Sequence, residues 1–535
     1  MARLSSPSSS YISGDLLQSS KWIIALLIMF LASAVMAQST GGAGQIGVWT
    51  TLPTASNMPV NPVHAAVMRT GKLLIIEGKQ TQQGAIWDPA TQTASVISVP
   101  YTMFCNAMVV LPDGNPFVVG GTLQFPPAVP KFTGINKCAA YNPITGIFSL
   151  KTSMKEGRWY PTAIVLSDGT VMAFSGNDEA PDNNNTAEIF TPDPGGGPGS
   201  WSGQFADPLF TPPLYPRLHL LPDGRVFYSG FDQTLLSRFF DVSTKTWSTC
   251  CHTVSNSIRV YGTSVLLPLS PANNYKARVI IMGGGQFDTV THSTKTTETI
   301  DFDQSMLAPH WSSGPDMSQP RIQLNATILP SGGVLVTGGS DLNEDLNSVS
   351  FNADLYNPVT NTFSSAGMNA VPRLYHSNAL LLPDATVLVF GNNHPPAPFS
   401  PYDPRVELYK PAYLFKADGT PAPRPVINSV PTSPIGYGSV FQITTPDPTS
   451  ISSVLLLRPA GVTHAFNMEQ RLIKLNFSLN TSVAGAINVT APPNGNVAPP
   501  GYYMLFILNS TTSATSTGTP SVAKFVQICP ASGCL

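Results

Sequence analysis

The stretch VLPDGNPFVVGG at residues 110–121 decides the fold of this chain. Apolar residues lead into a turn at Asp113 and Gly114, and a second apolar segment leads from the turn to a pair of glycines. Asp-Gly between segments rich in Val, Leu and Phe is a strong signal for a turn between antiparallel strands. The stretch therefore predicts a β-hairpin.

Seven copies of this pattern occur along the chain. Each ends in glycine, and the fifth is degenerate, with a longer turn through residues 271–276. An aromatic segment and another turn follow each copy, so every repeat has two hairpins. The copies lie at Met68–Gly78, Val110–Gly121, Val165–Gly176, Leu220–Gly230, Val265–Gly285, Ile328–Gly339 and Leu381–Gly391.

Two hairpins per repeat give a four-stranded unit, and a spacing of about 50 residues is the period of kelch repeats. Seven units that close on one another leave only short, protected sheet edges, and copies in register disfavour a β-sandwich or scattered hairpins. We therefore predict an all-β chain with a seven-bladed kelch-type β-propeller over residues 47–418. After Phe415, short alternating strands such as 454–457 and 502–507 predict an immunoglobulin-like β-sandwich domain over residues 422–535.

The composition is that of a folded, weakly charged chain. Of 535 residues, 42% are hydrophobic and 11% are charged, and the net charge is −2. Abundant Gly (43) and Pro (51) would by themselves suit disorder, but this apolar content is enough to form a core. The sequence has no basic stripe, so we expect no nucleic-acid partner, and we expect a monomer.

The first residues have the pattern of a secretion signal. Lys21 precedes an apolar run from Trp22 to Ala37, and Val35 and Ala37 fit the small-residue positions of a cleavage site. We predict a signal peptide over residues 1–37, an extracellular location in a wall or matrix, and no stable membrane span. The alternative is an uncleaved signal anchor, for which the run is short against the ~20 residues of a membrane span. Six Asn-x-Ser/Thr sequences suit glycosylation on that route: Asn184, Asn325, Asn476, Asn480, Asn488 and Asn509.

Cysteines of a secreted chain meet an oxidising environment and mostly pair. Cys529 and Cys534 are placed to close a small C-terminal loop. Cys250 and Cys251 either form a vicinal bridge or pair elsewhere, and Cys138 is unassigned, since connectivity cannot be deduced from sequence.

Side chains with metal-binding or hydrogen-bonding chemistry recur at one position of the repeat, eight residues before the turn Asp. In the sixth copy Ser331 takes the place of that Asp, and in the degenerate fifth copy the position is found by counting along the copy. In a propeller this position starts the innermost strand, so residues of different blades lie at similar height around one channel. Aliphatic residues are the usual choice at the start of an innermost strand, so polar and aromatic residues at this position are unusual. The set, called the ring residues below, comprises Cys105, Tyr160, Tyr215, Tyr261, Gln323 and His376, with Tyr375 beside the last.

This ring predicts a metal site. Imidazole suits copper and zinc, and a phenolate oxygen suits Cu(II). A free phenol titrates near ~10, so a metal would be needed to hold it ionised near neutral pH. His464, after the strand 454–457, is the candidate for a second imidazole.

With these residues the chain resembles the copper radical oxidases, the group of glyoxal oxidase and galactose oxidase. The resemblance covers nearly all of the predicted mature chain and preserves order and spacing. The matching segments are Phe104-Cys105-Asn106, Arg158-Trp159-Tyr160-Pro161, Arg373-Leu374-Tyr375-His376-Ser377 and Val462-Thr463-His464.

The resemblance implies a role for each residue. Tyr160 would be an equatorial copper ligand, joined through its ring to the sulfur of Cys105, and this thioether-linked pair would hold a stable radical. His376 and His464 would be the other equatorial protein ligands. Tyr375 would be the axial ligand and the base that accepts the substrate's proton. The cofactors would then be one copper ion and the Cys105–Tyr160 thioether radical.

The implied reaction removes two electrons from the substrate, one to copper and one to the radical, and O2 reoxidises both centres and becomes hydrogen peroxide. No nicotinamide or flavin is required. We expect an aldehyde oxidase of glyoxal-oxidase type, which converts simple aldehydes, bound as hydrates, to carboxylic acids. Its peroxide would serve downstream peroxidases.

Two departures from galactose oxidase favour the glyoxal-oxidase branch. Galactose oxidase has an N-terminal sugar-binding domain, whereas the first repeat here begins soon after the apolar run. Galactose oxidase also stacks a Trp over its Cys–Tyr bond, and the matching segment, Ser175-Gly176-Asn177-Asp178, has no Trp.

The substrate pocket and the substrate class stay open at this stage. Tyr215, Tyr261, Gln323, Arg259 and Arg321 are candidates to line the pocket, although such arginines often only brace neighbouring strands. The alternatives to an aldehyde oxidase are a primary-alcohol oxidase of galactose-oxidase type, a non-catalytic propeller that binds glycan or protein, and a structural zinc site.

Overall fold

Antiparallel strands make up nearly all of the secondary structure, which confirms the all-β prediction. The computed structural model describes residues 42–207, 209–230, 235–255, 258–303, 308–393, 402–509, 518–530 and 533–534. The predicted signal peptide, residues 1–37, lies outside them. In the described residues, helix is limited to α1 (Ala43–Ile46) and to 3-10 turns at Thr54–Ser56, Pro271–Asn273, Leu346–Ser348, Ala412–Leu414 and Pro448–Ser450.

Seven sheets, each with at least four strands, follow one another along the chain. In chain order their strands and one separate pair, β8 and β9, are β1 (Val48–Thr51), β2 (Pro62–Val67), β3 (Leu73–Glu77), β4 (Gln83–Asp88), β5 (Thr93–Ser98), β6 (Ala107–Val110), β7 (Pro116–Val119), β8 (Thr122–Gln124), β9 (Thr133–Gly134), β10 (Cys138–Asn142), β11 (Ile147–Lys151), β12 (Thr162–Val165), β13 (Val171–Phe174), β14 (Thr186–Thr191), β15 (Ser200–Trp201), β16 (Phe205–Ala206), β17 (Leu218–Leu220), β18 (Val226–Tyr228), β19 (Leu236–Asp241), β20 (Thr246–His252), β21 (Thr263–Leu266), β22 (Ala277–Met282), β23 (Thr297–Phe302), β24 (Trp311–Ser313), β25 (Asn325–Ile328), β26 (Val334–Thr337), β27 (Asn352–Asn357), β28 (Thr362–Met368), β29 (Asn378–Leu381), β30 (Val387–Phe390) and β31 (Val406–Lys410).

Sheets 1 to 7 follow the chain order of the seven repeats. Sheet 1 contains β2–β5, sheet 2 contains β6, β7, β10 and β11, sheet 3 contains β12–β16, sheet 4 contains β17–β20, sheet 5 contains β21–β24 and sheet 6 contains β25–β28. Sheet 7 contains β29–β31, and β1 completes it by pairing antiparallel with β31, with Trp49 opposite Tyr409. The last sheet is therefore built from both ends of the repeat region.

The repeated turns follow from their Asp and Gly residues. In sheet 2, Gly114 donates its N–H to the carbonyl of Leu111 at 2.8 Å and has a φ of 83°, a left-handed conformation that Gly adopts without a steric cost. The Asp113 carboxylate accepts from the backbone N–H of Asn115 at 2.9 Å, the bond that makes Asp favourable in turns. The predicted hairpin at residues 110–121 is thus present.

Buried ion pairs join the segment before the first strand to the third strand of the same sheet. Each arginine also donates to a backbone carbonyl at or near the end of the second strand. A buried charge needs such partners because desolvation is expensive. The pairs are Arg158–Glu188 (2.9 Å), Arg259–Glu298 (2.9 Å), Arg321–Asp354 (2.8 Å) and Arg373–Glu407 (3.0 Å).

Most of the C-terminal strands form two further sheets, whereas β35 (Gly461–Thr463) and β36 (Phe466–Asn467) extend sheet 1. One has the order β32, β42, β40, β34, β37, with β41 on β40, and the other has the order β33, β39, β38. Both sheets contribute to one hydrophobic cluster, to which sheets 4 and 5 add Phe227 and Ile281. The strands are β32 (Ile435–Gly436), β33 (Val440–Thr444), β34 (Ile451–Leu457), β35 (Gly461–Thr463), β36 (Phe466–Asn467), β37 (Leu472–Leu475), β38 (Phe477–Leu479), β39 (Ala486–Thr490), β40 (Gly501–Asn509), β41 (Thr519–Pro520) and β42 (Lys524–Cys529).

Because the C-terminal sheets share a core with the repeats, Gly42–Leu535 is one compact unit. The domain bounds at 47–418 and 422–535 therefore stay predictions. In the part of the chain described here, no helix is long and apolar enough to cross a membrane.

Two disulfides connect residues close in sequence, Cys250 with Cys251 and Cys529 with Cys534. Cys105 and Cys138 are buried free thiols. Of the predicted glycosylation sites, Asn184, Asn325 and Asn509 are buried, so their side chains are not accessible for glycosylation in this fold. The sites at Asn476, Asn480 and Asn488 stay predictions.

Removing one partner of a buried ion pair should destabilise this fold strongly. Asp354→Asn leaves the buried Arg321 guanidinium without its counter-charge, so we expect the free energy of unfolding to fall by about 3–5 kcal/mol. Asp223→Asn is the matched control, because the Asp223–Arg225 pair is partly exposed and such pairs contribute about 0–1 kcal/mol. Urea denaturation measures both variants. Equal, small losses would contradict the bracing role.

Candidate metal centre

All six ring residues have a left-handed backbone. This conformation is uncommon outside glycine, and clusters of such residues mark functional sites. The φ angles are 62° at Cys105, 66° at Tyr160, 50° at Tyr215, 50° at Tyr261, 64° at Gln323 and 63° at His376. The position found by counting back from the turn is therefore a conformational feature shared by sheets 2 to 7.

Four donor atoms from distant parts of the chain converge in the interior. Nε2 of His376 lies 3.0 Å from Nε2 of His464, which lies 3.0 Å from the phenolic oxygen of Tyr160. The phenolic oxygens of Tyr160 and Tyr375 are in direct contact. The Sγ atom of Cys105 lies within 4.8 Å of the ligand nitrogens of both histidines. The structure thus brings all five predicted site residues together.

His464 reaches the ring residues on a hairpin that joins sheet 1. β35 pairs antiparallel with β2, and β36 pairs with β35, so that Thr463 lies opposite Phe466. The two residues between them, His464 and Ala465, have φ angles of 46° and 64°, as a type I′ turn requires. Arg217 donates to the His464 carbonyl at 2.8 Å and holds the tip of the hairpin.

The imidazoles are oriented as metal ligands. His376 donates its Nδ1 hydrogen to Oδ1 of Asn393 at 2.7 Å, and Nδ1 of His464 lies 2.6 Å from Oγ1 of Thr463, a hydroxyl that can accept its hydrogen. With the hydrogen on Nδ1 of both rings, the two Nε2 atoms face each other with lone pairs, an arrangement that a cation stabilises. Hydrogen bonds from the second ring nitrogen are typical of metal-bound histidine.

Burial keeps these groups in their neutral forms in the absence of a metal. It lowers the pKa of His376 to about 3, and burial together with the nearby His376 lowers the pKa of His464 well below its usual value. Burial also raises the pKa of Tyr160 and Tyr375 well above the usual value of a phenol. Neutral imidazoles bind metals directly, and a bound cation is what would ionise a buried phenol. The donor set fits copper.

Trp159 occupies the face of the Tyr160 ring, with ring centroids 3.8 Å apart and planes 13° apart. Phe132 stacks on the other side of Trp159 at 4.8 Å. Sequence reasoning missed this contact because neighbours in a strand point to opposite sides. The left-handed backbone of Tyr160 breaks that alternation. The aromatic partner of Tyr160 therefore comes from the preceding residue.

A cavity of about 560 Å³ adjoins the donor atoms. Tyr215 and Tyr261 line it as expected, whereas Arg259 and Arg321 are held in the buried ion pairs and do not. Gln323 is not among its lining residues and instead donates to Asn343 at 2.6 Å. The lining residues are Phe104, Phe132, Trp159, Tyr160, Pro213, Leu214, Tyr215, Arg217, Val260, Tyr261, Phe287, Glu344 and Tyr375.

Comparison with known proteins identifies relatives over most of the chain. The family model "Glyoxal oxidase N-terminus" matches residues 77–413, and "Galactose oxidase-like, Early set domain" matches residues 424–528. Aldehyde oxidase GLOX of Vitis pseudoreticulata is 30% identical over 470 residues, 83% of this chain and 85% of that protein. Galactose oxidase of Gibberella zeae is 26% identical over 548 residues, 94% of this chain and 73% of that protein.

A solved structure has a similar fold. A fungal alcohol oxidase of the AA5 family, in complex with copper, superposes with a TM-score of 0.76 at 24% identity, over 91% of this chain and 100% of that one.

Imidazoles and phenols converging beside a cavity define a metal-dependent enzyme built on β-sheets. The chain belongs to the glyoxal oxidase family, whose model matches more than half of its length. The resemblance to the copper radical oxidases is thereby confirmed.

The hydrogen bond between Asn393 and His376 should set the affinity for copper. Asn393→Leu leaves Nδ1 of His376 without its acceptor, and we expect the affinity for Cu(II) to fall by about 10–100-fold. Isothermal titration calorimetry measures this change. Asn428→Leu, at an exposed position, is the control and should bind as the unaltered protein does. Unchanged binding by Asn393→Leu would show that the ring is oriented without this bond.

Proposed function

We propose that this protein is a secreted copper radical oxidase of glyoxal-oxidase type, which oxidises simple aldehydes to carboxylic acids and reduces O2 to hydrogen peroxide. The observation that carries the proposal is the convergence of His376, His464, Tyr160 and Tyr375, with the unpaired thiol of Cys105 beside them. The match to aldehyde oxidase GLOX of Vitis pseudoreticulata supports the choice of an aldehyde as substrate.

The protein residues hold the cofactors and the substrate. His376, His464, Tyr160 and Tyr375 would hold one copper ion, since their donor atoms converge at one place. Copper and the radical of the thioether-linked Cys105–Tyr160 pair supply two one-electron oxidations. Burial of the pair excludes water, since Cys105 is fully buried and Tyr160 is 4% exposed.

Tyr375 is the general base. Its phenolic oxygen contacts that of Tyr160, and both residues line the cavity, so a substrate hydroxyl there has a proton acceptor beside the radical site. An aldehyde presents such a hydroxyl as its hydrate. With the cofactors bound, the ionised Tyr375 oxygen would take that proton, and the Tyr160 oxygen would accept the hydrogen atom that leaves the substrate carbon.

The seven sheets form the seven blades of one closed propeller. Consecutive first strands β2, β6, β12 and β17 contact one another, as do β21, β25 and β29, and β29 contacts β2. His219 hydrogen-bonds Ser264 at 2.7 Å and so links sheets 4 and 5. The propeller spans residues 47–418 and the immunoglobulin-like domain residues 422–535, after a signal peptide at 1–37.

The expected partners are a small aldehyde and O2, and peroxidases outside the cell use the peroxide. A primary-alcohol oxidase is the second candidate, because a galactose oxidase matches 94% of this chain and a primary alcohol presents the same hydroxyl to Tyr375.

Loss of the radical site should abolish turnover. The secreted protein, loaded with copper and an oxidant, is tested for peroxide formation with methylglyoxal, glyoxal and galactose. We expect peroxide from the aldehydes, and background levels from Tyr160→Phe and Cys105→Ser. Tyr375→Phe should lower the rate by about 10²–10⁴-fold, the usual contribution of a general base.

Tyr502→Phe, at a half-buried position on β40 that does not line the cavity, should keep full activity. Peroxide from galactose alone would replace the aldehyde with an alcohol as the substrate. Copper binding without peroxide from any aldehyde or alcohol would contradict an oxidase and favour a binding propeller.

A further inference from the structure

The cavity beside the donor atoms is larger than a simple aldehyde requires. Its volume of about 560 Å³ is within the range of pockets that hold drug-sized ligands. A two-carbon aldehyde would leave most of this space to water, which would make poor contact with apolar walls.

Aromatic side chains form those walls in two groups. In the first group, Phe132 stacks on Trp159 at 4.8 Å and meets Phe104 edge to face at 6.0 Å. In the second group, Tyr261 packs against Phe287 at 5.2 Å. Ring faces and edges attract a further ring in offset-stacked or edge-to-face geometry, so these walls suit a flat apolar ligand.

The charged groups that line the cavity already have protein partners. Arg217 donates to the carbonyls of Gly262 and His464 at 3.1 and 2.8 Å, and the Glu344 carboxyl hydrogen-bonds the side chain of Gln323. A sugar brings several hydroxyls that need partners, and burying them unpaired is costly. The walls therefore favour an aromatic ring over a polyol.

Phe287 is 56% exposed although it lines the cavity. We propose that the cavity is a subsite for an aryl group and that the preferred substrates are aryl aldehydes, with the ring between the two aromatic groups and the carbonyl carbon at the Tyr160–Tyr375 end. This inference rests on the proposed function for its chemistry. Binding of the ring does not depend on turnover.

Two measurements test this subsite. In copper-free protein, saturation-transfer NMR compares binding of 4-methoxybenzyl alcohol with that of methyl α-galactoside. In copper-loaded protein, kcat/KM is compared for methylglyoxal and 4-nitrobenzaldehyde, an aryl aldehyde whose electron-poor carbonyl forms a hydrate in water. Phe287→Ala should weaken aryl binding by about tenfold and lower the ratio of the two kcat/KM values, aryl aldehyde over methylglyoxal, by a similar factor. Val290→Ala, a change in an exposed residue outside the lining, should change neither.

The outcomes separate the subsite from the function. Turnover of methylglyoxal with no preference for the aryl aldehyde and no aryl binding would overturn the subsite and keep the oxidase. Aryl binding that Phe287→Ala weakens, without any peroxide, would keep the subsite and contradict the oxidase. Preferential binding of the galactoside would overturn the aryl assignment.

A second, independent observation concerns His64. Ring residues are joined by backbone hydrogen bonds from one sheet to the next: the N–H of Tyr160 donates to the Cys105 carbonyl (3.0 Å), and that of Tyr215 donates to the Tyr160 carbonyl (2.9 Å). In sheet 1 the corresponding position is Pro62, within strand β2. There the N–H of Cys105 donates to Nε2 of His64 at 2.9 Å.

His64 is fully buried, and its Nδ1 has no hydrogen-bond partner among the described residues. A buried polar atom without a partner costs stability, so it calls for an explanation in the role of the imidazole. The Pro62 carbonyl accepts instead from the Asn378 side chain at 2.9 Å. We infer that His64 is a positioning residue, which replaces that carbonyl as the acceptor for Cys105 and holds Cys105 in its left-handed conformation against Tyr160. This inference also rests on the proposed thioether.

Formation of the thioether gives the test. When Sγ of Cys105 bonds to a ring carbon of Tyr160, one S–H and one C–H bond break, and O2 accepts the two protons and two electrons released and becomes hydrogen peroxide. Peptide mass spectrometry follows the loss of two hydrogens after copper loading. His64→Leu removes the acceptor, and cross-linking should slow by at least about tenfold, the effect of one lost buried hydrogen bond. His64→Gln offers an acceptor oxygen and should restore the rate.

Hydrogen exchange at the Cys105 amide tests the same bond without the cross-link. We expect lost protection in His64→Leu and retained protection in His64→Gln. Cross-linking and protection unchanged in His64→Leu would overturn the positioning role. Absence of the cross-link from the unaltered protein would contradict the proposed cofactor, while the exchange result would still decide the role of His64.

Discussion

The left-handed backbone at the ring residues is the constraint on which the metal centre depends. Each such non-glycine residue is expected to cost on the order of 1–3 kcal/mol, so the surrounding structure must hold it. The buried arginines supply part of that support: Arg158, Arg259 and Arg321 each lie two residues before a ring residue and are fixed to the third strand of their sheets. The ion pairs stabilise the segments that carry the ring.

Sheet 1 is the exception, and the site is completed there. Its first strand has Pro62 where the other sheets have a left-handed residue, and the C-terminal hairpin pairs with that strand and brings His464 to the other ligands. Gly461 is required in this hairpin because a Cβ atom there would lie 2.6 Å from the Met108 carbonyl. The metal centre therefore needs the repeats and the C-terminal strands to be folded together.

Much of the site could be predicted from the sequence, because the repeat provides a count. The turn after each first strand fixes its register, and counting back eight residues from the turn Asp locates Cys105, Tyr160 and His376. The count also located Tyr215 and Tyr261 on the cavity. It indicates equivalent positions but not the direction of each side chain, which depends on the backbone conformation.

That limit explains what the sequence did not reveal. The stacking of Trp159 on Tyr160 needs a positive φ at Tyr160. Only glycine indicates such a backbone in a sequence, so the tyrosine did not predict it. Asn393, which orients His376, and Arg217, which holds the His464 carbonyl, act through contacts between distant segments. Arg259 and Arg321 were candidates for the pocket, but their carboxylate partners lie about 33–39 residues further along the chain and became apparent only in the structure.

The central claim is that Tyr160, His376 and His464 bind one copper ion and that Tyr160 is joined to Cys105. Crystals of the copper-loaded protein, measured on both sides of the copper absorption edge, test it most directly. The account predicts one anomalous peak within bonding distance of Nε2 of both histidines and of the Tyr160 oxygen, and continuous density from Sγ of Cys105 to the Tyr160 ring. Copper bound elsewhere, or a Cys105 thiol separate from that ring, would contradict it.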